Sequence, residues 1–283
     1  MKLPLPLSLL AAGSLLASTL SAAPSLEKLW ETDAVLKVPE GVVFDSSRQV
    51  LYVSNIDGKQ PWGKDGSGSI ARVGLDGRVK EVEWVKGLEA PKGMALAKGR
   101  LYVADIDRVV AIDPGSGKIV ATIFVPGAER LNDVSASPDG SAVYVTDSAT
   151  GHVHVLRDEK PSVFSDAFKG PNGVLATQDG VYVLDQETLF LITDDAKPRA
   201  VVKGLTGHVD GVEMAGENAF IVSCWNGIVY HAARDGKVTT LLDTRSQEVN
   251  AADIGYDAQR RIVYVPTFWK NTVVAYQLTG DTK

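Results

Sequence analysis

The stretch Glu40-Gly41-Val42-Val43-Phe44-Asp45 joins a polar residue to a glycine and then to a run of strand-forming residues. Its first three positions, a variable residue followed by Gly or Asp and then by an apolar residue, recur along the whole chain. The six copies are Glu40-Gly41-Val42, Lys92-Gly93-Met94, Asn132-Asp133-Val134, Asn172-Gly173-Val174, Asp210-Gly211-Val212 and Ala252-Asp253-Ile254. Successive copies lie 52, 40, 40, 38 and 42 residues apart. A period near 40 residues is typical of β-propellers, in which each repeat forms one blade.

Each copy is followed by a polar turn and then by a segment of β-branched residues around an aromatic side chain. The segments are Val50-Leu51-Tyr52-Val53, Leu101-Tyr102-Val103, Val143-Tyr144-Val145, Val181-Tyr182-Val183, Ala219-Phe220-Ile221-Val222 and Ile262-Val263-Tyr264-Val265. Such residues favour strands, and a polar turn between two of these runs favours a hairpin. We therefore predict an all-β fold, a six-bladed β-propeller with four antiparallel strands in each blade. Residues 29–36 have no counterpart in the first repeat, so we expect this N-terminal strand to complete the last blade and close the ring.

Residues 1–22 have the pattern of a secretory signal peptide that is removed from the mature protein. Lys2 supplies a positive start, an apolar run rich in small residues follows, and we expect cleavage after Ala22. An uncleaved membrane anchor is the alternative, but the run is short and contains Pro4 and Pro6. The sequence therefore predicts a periplasmic or secreted protein.

The rest of the chain, residues 23–283, is predicted to form a single propeller domain, because the repeats run through it without a linker. The formal net charge of −6 gives no basic footprint for nucleic acid or for an anionic membrane surface. The single cysteine, Cys224, excludes an internal disulfide framework. We therefore expect a small-molecule substrate, no nucleic-acid partner, and no membrane association once the signal is removed.

Equivalent residues of different blades lie at the same height around the central channel, so the first residues of the six copies should face one another. Four of these residues carry side-chain oxygens: Glu40, Asn132, Asn172 and Asp210. Two carboxylates and two amide oxygens suit a hard cation such as calcium, which takes six to eight oxygen ligands. A cation would also relieve the repulsion between Glu40 and Asp210. The alternative is that the two acids cap strand starts or pair with Lys92 across the channel.

The remaining two copies begin with Lys92 and Ala252, which are not cation ligands. A bound cation would thus be held from one side of the channel. One coordination position would stay open for water or substrate.

Four of the repeats carry motifs in a fixed order. Pro39-Glu40-Gly41-Val42-Val43-Phe44-Asp45 is followed by Arg130-Leu131-Asn132-Asp133, Pro171-Asn172-Gly173-Val174 and Asp210-Gly211-Val212. The first resembles the first-blade signature of the gluconolactonase, regucalcin and senescence-marker-protein family. The others resemble the R-x-N-D, N-G and D-G segments of that family. The resemblance spans roughly residues 35–278.

The resemblance implies a six-bladed propeller with a calcium-dependent site in its channel that hydrolyses sugar lactones or related esters. It implies that Glu40, Asn172 and Asp210 bind calcium or another divalent cation. It also implies that Asn132 completes the site and contacts the substrate or a metal-bound water, and that Arg130 binds substrate oxygens. The metal would polarise the ester carbonyl, and Asp210 is the candidate general base for the attacking water.

The chain departs from the family in the residues that line the channel. The family often has Pro and then Trp after Glu-Gly, where this chain has Val42 and Phe44, and usually has Gly where this chain has Val134. These changes leave the proposed ligands intact, so they bear on the substrate more than on the metal. The expected function is a calcium-dependent lactonase-like hydrolase. The alternative is a non-catalytic propeller that binds a peptide or a small ligand.

The longest interval between copies contains an insertion, residues 57–68, of loop-like composition. It is either a tolerated hairpin extension or a flap over one mouth of the channel, with Trp62 as a flat apolar surface. We interpret Trp225 and Phe268 as packing residues, with a place at the pocket edge as the alternative. His208 lies two residues before Asp210 and is a candidate for the channel mouth.

Overall fold

The computed structural model describes residues 22–58, 60–193 and 197–280. They form six antiparallel sheets of four strands each, which confirms the predicted six-bladed propeller. Strand β1 is Ser25–Glu31, and β2–β5 of blade 1 are Pro39–Asp45, Val50–Asn55, Gly68–Gly74 and Val79–Leu88. Blade 2 contains β6–β9 (Pro91–Ala97, Arg100–Asp105, Arg108–Ile112, Ile119–Phe124), and blade 3 contains β10–β13 (Leu131–Ala136, Ala142–Asp147, His152–Arg157, Lys160–Ser165).

The second half of the ring repeats the same order. Blade 4 contains β14–β17 (Pro171–Thr177, Gly180–Asp185, Thr188–Ile192, Arg199–Lys203), and blade 5 contains β18–β21 (Val209–Met214, Ala219–Cys224, Ile228–Ala233, Val238–Asp243). Blade 6 contains β22–β24 (Gly255–Asp257, Ile262–Pro266, Val273–Thr279). Two single turns of 3₁₀ helix, Arg245–Gln247 and Phe268–Lys270, precede β22 and β24.

A strand from the N-terminal part of the chain closes the ring, as predicted, but its bounds differ from the expected 29–36. Strand β1 pairs antiparallel with β24, with Ser25 opposite Thr279 and Glu31 opposite Val274. This outer strand is mostly exposed, so hydrophobic residues do not mark its ends. Leu36, which suggested a longer strand, is instead a buried residue of the following loop that packs between blades 1 and 6.

The predicted signal peptide lies outside the described residues, apart from Ala22. Within the parts of the chain that the structure describes, no helix is long and apolar enough to cross a membrane.

The repeated three-residue phrase coincides with a β-bulge near the start of each innermost strand in blades 1–5. The pairing of inner and second strands shifts register between Pro39 and Val42, Pro91 and Met94, Leu131 and Val134, Pro171 and Val174, and Val209 and Val212. A bulge leaves one residue outside the ladder and re-aims its side chain. The first residue of each phrase is thereby released from sheet pairing and is free to face the channel.

The second position of the phrase is Gly in four copies and Asp in two, and each Asp follows a Gly in the preceding copy for a steric reason. A Cβ on Gly93 would collide with Asp133 of the next blade, and one on Gly211 would collide with Asp253. Asp133 also accepts a hydrogen bond at 2.7 Å from the backbone N–H of Val174 in blade 4. An aspartate at this position thus links neighbouring blades and requires a glycine beside it.

Buried hydroxyl groups on the second strands hold the bulges in place. Ser54 accepts a hydrogen bond from the backbone N–H of Gly41 at 2.8 Å. Thr146 does the same for Asp133 at 3.0 Å, and Ser223 for Gly211 at 2.9 Å. Each hydroxyl satisfies an amide that the bulge removes from the ladder.

Candidate metal centre

We call the first residues of the six phrases the ring residues. Five of them line one cavity of about 280 Å³ at the end of the channel where the inner strands begin. These five are Glu40, Lys92, Asn132, Asn172 and Asp210. We call this space the ring cavity. The sixth ring residue, Ala252, is buried in the apolar cluster beside Phe268.

Two side-chain oxygens in the ring cavity are buried without a partner. Glu40 Oε2 and Asn172 Oδ1 have no hydrogen bond from any described residue. Buried polar atoms are nearly always hydrogen-bonded in folded proteins, because desolvating an unpaired one costs roughly 1–3 kcal/mol. Two such oxygens in one cavity therefore fit a ligand that takes oxygen donors.

The two asparagines are fixed by their amide nitrogens, which leaves their oxygens available. Asn172 Nδ2 donates to the carbonyl of Val209 at 3.1 Å. Asn132 Nδ2 donates to the hydroxyl of Ser148 at 3.0 Å, and that hydroxyl donates to the carbonyl of Pro171 at 2.7 Å. Both amides are thus oriented by the protein before any ligand binds.

Burial and neighbouring charges shift the ionisation of the ring acids. Burial raises the pKa of Glu40 well above its ordinary value; the nearby Lys92 ammonium lowers it, and the Asp210 carboxylate raises it further. Burial also raises the pKa of Asp210 to about 7, against the lowering effects of Asn172 and Lys92. Two acids whose ionised forms are disfavoured by burial and by each other are stabilised as carboxylates by a cation.

The donor set fits a hard divalent cation. Glu40, Asn172 and Asp210 offer carboxylate and amide oxygens, and Asn132 stands beside them. No three side chains drawn from His, Cys, Asp and Glu form a metal-binding cluster among the described residues, so the amides are an essential part of the set. Carboxylate and amide oxygens suit calcium, magnesium or manganese better than softer metals.

Lys92 does not form the cross-channel ion pair that was one form of the alternative interpretation. Its ammonium is buried and donates to the carbonyl of Pro61 at 2.6 Å, and it lies 4.5 Å from the centre of the Trp62 ring. Burial lowers the pKa of Lys92 to about 8, and the charges of Glu40 and Asp210 oppose that shift. Lys92 acts on the acids through space and leaves Glu40 Oε2 free.

The insertion covers the mouth of the ring cavity. It forms the loop between β3 and β4, and Pro61 and Trp62 line the cavity. Lys64 pairs with Asp107 of blade 2 at 2.6 Å, which ties the loop to the neighbouring blade. The structure therefore agrees with the flap interpretation.

Aromatic residues form part of the cavity wall. Trp225 and Phe268 line the cavity and pack edge-to-face, with ring centres 5.6 Å apart. They combine the packing role that we expected with the pocket-edge role given as the alternative. His208 lines the ring cavity and also an adjoining open groove of about 430 Å³.

Arg130 lies at the rim of the ring cavity. Its side chain is exposed, with Cζ 5.7 Å from the centre of the Trp62 ring. Its backbone N–H donates to Asp147 at 3.1 Å. The structure thus brings Arg130 to the mouth rather than among the ring oxygens.

A second cavity, of about 250 Å³, lies farther along the channel and is lined by the inner strands beyond the bulges. We call it the inner cavity. It contains three acids, Asp133, Glu213 and Asp253. Burial raises the pKa of Asp133 to about 7 and that of Glu213 to about 8.

Sequence reasoning missed a set of acids and one amide that shape the loops leading to the ring. Asp105 accepts the N–H groups of Glu89 and Ala90, each at 2.9 Å. Asp147 and Asp185 accept N–H groups in the equivalent loops of the following blades, and Asn55 does so in blade 1. The signal was present as a repeated Tyr-Val-x-Asp or Tyr-Val-x-Asn at the end of the second strand in blades 1–4.

The fold and the cavity define a six-bladed propeller with an oxygen-lined site at one channel mouth. No protein-family model matches the chain, and no curated protein matches its sequence. A gluconolactonase from Xanthomonas campestris has a similar structure, with a TM-score of 0.67 and 18% identity over 86% of this chain and 87% of that one.

Other solved structures are similar over comparable lengths. A virginiamycin B lyase from Staphylococcus aureus has a TM-score of 0.63 and 15% identity over 91% of this chain and 100% of that one. A chain of a nidogen–laminin complex has a TM-score of 0.60 and 18% identity over 73% of this chain and 83% of that one. At such identities the likeness shows the fold, and the fold serves both enzymes and a structural complex.

Proposed function

We propose that this protein is a divalent-metal-dependent hydrolase that opens a lactone or a related ester, of the gluconolactonase and regucalcin kind. One observation carries the proposal: Glu40 Oε2 and Asn172 Oδ1 are buried without partners in a cavity that also contains Asp210. A propeller that only supports protein contacts has no need of such a pair. The cavity of about 280 Å³ is at the small end for ligand sites, roughly 300–1,000 Å³, which favours a small molecule over a peptide.

Each ring residue has a role that follows from its environment. Glu40, Asn172 and Asp210 hold the cation, with calcium the proposed metal. When bound, the cation supplies a positive charge that stabilises the negative charge developing on the ester oxygen. Asn132 and Arg130 bind and orient the substrate, Asn132 from within the cavity and Arg130 from its rim.

Asp210 is the proposed general base. Burial raises the pKa of Asp210 in the metal-free protein, and a bound cation would favour the ionised carboxylate that a general base requires. A water molecule attacks the carbonyl carbon while the Asp210 carboxylate takes its proton. The bond from that carbon to the ring oxygen then breaks, and the proton passes to the leaving alkoxide. The products are a hydroxyl group and a carboxylic acid on one open chain, and the acid then releases its proton to the solvent.

We also propose that the protein acts outside the cytoplasm, on the basis of the signal-peptide pattern of residues 1–22. N-terminal sequencing of the exported protein tests this proposal. A mature chain that begins at Ala23 is expected, and an intact Met1 end would contradict the signal peptide.

The proposed function is tested by measuring hydrolysis of a panel of sugar lactones, aliphatic lactones and aryl esters, with calcium and with chelator. Turnover of at least one lactone is expected with calcium and not with chelator. Glu40→Gln and Asp210→Asn keep the side-chain size and are expected to remove that activity. Glu217→Gln, an exposed change in the same blade as Asp210, is the matched control and should leave it intact.

Absence of both calcium binding and turnover would overturn the hydrolase and favour the alternative, a non-catalytic propeller that binds a small ligand or a peptide. Turnover that is unaffected by chelator and by Glu40→Gln would overturn the metal-dependent mechanism.

A further inference from the structure

Two cationic side chains contact the ring of Trp62 at the mouth of the ring cavity. The ammonium of Lys92 lies 4.5 Å from the ring centre, and the guanidinium of Arg130 lies 5.7 Å from it. Both distances are within the range of cation–π attraction. Trp62 therefore holds two positive charges near the same opening.

Neither cation is paired directly with a carboxylate, although Glu40 and Asp210 act on Lys92 through space. Among the described residues, Lys92 and Arg130 form no ion pair, whereas Lys64 of the same loop pairs with Asp107. Lys92 has three N–H donors, and one of them is used by the carbonyl of Pro61. A buried ammonium with spare donors is a binding group for an anion.

If a metal is bound as in the proposed function, the carboxylates of the ring cavity do not neutralise these two cations. Glu40 and Asp210 together balance one divalent cation. Lys92 and Arg130 then remain uncompensated at the mouth. A substrate with one negative charge would reduce that excess, whereas a neutral substrate would not.

The rest of the wall suits an apolar body better than a polyhydroxylated one. Trp62, Trp225 and Phe268 present aromatic surface to the cavity. Each hydroxyl of a sugar lactone that enters such a space must find a hydrogen-bond partner or lose its hydration. Aromatic walls offer few partners, so they favour a compact ring with few polar groups.

We propose that the ring cavity takes lactones or esters that carry a carboxylate on a compact, otherwise apolar body. Lys92 and Arg130 bind the carboxylate, and the body packs against Trp62, Trp225 and Phe268. The carbonyl that reacts lies on the side of Glu40, Asn172 and Asp210. Lys92 and Arg130 are thus specificity-determining residues of the site.

The test compares 5-oxotetrahydrofuran-2-carboxylate with the corresponding carboxamide, which has nearly the same shape and no charge. With calcium, wild-type protein is expected to prefer the carboxylate by about tenfold or more in kcat/KM, the effect expected of charge-assisted hydrogen bonds. Lys92→Met should bring the ratio of the two kcat/KM values close to one. Because the ratio is internal to each variant, partial loss of folded protein does not affect it.

Two further variants sharpen this test. Lys160→Met removes the same charge from an exposed position on an outer strand and should leave the preference intact. Arg130→Gln should reduce the preference by less than Lys92→Met does, because Arg130 is exposed at the rim while Lys92 is buried.

The outcomes separate this proposal from the hydrolase on which it rests. Turnover of both lactones with no preference in the wild type overturns the carboxylate site and leaves the hydrolase standing. If neither lactone is turned over, calorimetry with cyclopentanecarboxylate and cyclopentanecarboxamide in calcium decides the matter. Carboxylate binding that Lys92→Met abolishes supports the anion site without the hydrolase, and absence of carboxylate binding overturns it.

Discussion

The ring cavity and the inner cavity lie along one channel, and both contain acids whose pKa is raised by burial. Their carboxylate oxygens differ in what they contact. In the inner cavity, Asp133 accepts hydrogen bonds from the backbone N–H groups of Val134 and Val174, at 2.6 and 2.7 Å. In the ring cavity, Glu40 keeps one buried oxygen without a partner.

This difference separates Asp133, whose oxygens bind the backbone of two blades, from Glu40, for which we propose a cation. The hydrogen bonds of Asp133 join blades 3 and 4, so its oxygens are already used. The bulge leaves one oxygen of Glu40 buried without a hydrogen bond, which lowers the stability of the fold. A bound cation would offset this loss. Exchanging acids for amides in the two cavities should therefore affect different properties, activity in one and stability in the other.

The largest effect is expected from changes in the ring cavity. Glu40→Gln and Asp210→Asn should lower kcat/KM for a turned-over lactone by about 100-fold or more, because both remove charge that holds the cation beside the reacting group. Steady-state kinetics at saturating calcium measure this loss. Glu217→Gln is the control. If Glu40→Gln kept activity within a few-fold of wild type, the proposed difference between the two cavities would be contradicted.

In the inner cavity, Asp133→Ala should destabilise the fold by about 3 kcal/mol, because two buried N–H groups lose their acceptor. The unfolding midpoint would fall by roughly 6–12 °C for a domain of this size. Differential scanning calorimetry measures the change. Asp133→Asn keeps an acceptor oxygen and is expected to lose less, and an Asp133→Ala variant as stable as wild type would contradict the structural role.

A smaller, pH-dependent effect is expected from Glu213→Gln. Because the pKa of Glu213 is raised to about 8 by burial, the folded protein keeps its proton between about pH 4.5 and 8 while the unfolded chain loses it. The unfolded state then binds fewer protons, so this acid lowers stability progressively as pH rises through that window. Glu213→Gln should therefore raise the midpoint by a few degrees at pH 8 and hardly at all at pH 4.5. Equal shifts at both pH values would contradict this origin.

The smallest effect is expected from the hydroxyl that holds the bulge beside Glu40. Ser54→Ala removes the hydroxyl that accepts the N–H of Gly41, next to Glu40, and should cost about 1 kcal/mol. Urea unfolding measures the loss, with the exposed Ser46→Ala as control. Ser54→Ala should also weaken calcium binding several-fold, since the bulge sets the position of Glu40. Unchanged calcium affinity would show that the bulge holds its shape without this bond.

The fold could be predicted from the sequence because a propeller repeats one pattern six times. An ambiguous strand in one repeat is then resolved by its counterparts in the others. The same repetition made the first position of each phrase informative, since four of its six residues, Glu40, Asn132, Asn172 and Asp210, carry side-chain oxygens. The bounds of β1 could not be predicted, because backbone pairing with β24 determines where this exposed outer strand begins and ends. The role of Lys92 could not be read either, because its contacts come from a loop whose path over the channel no local pattern fixes.

The central claim is that the ring cavity, and not the inner cavity, holds a divalent cation. Isothermal titration of calcium into wild type, Glu40→Gln and Glu213→Gln tests it most directly. We expect one calcium per chain in wild type, the same affinity in Glu213→Gln, and a loss of about 100-fold or more in Glu40→Gln. No binding to the wild type, or binding lost in Glu213→Gln and kept in Glu40→Gln, would contradict the claim.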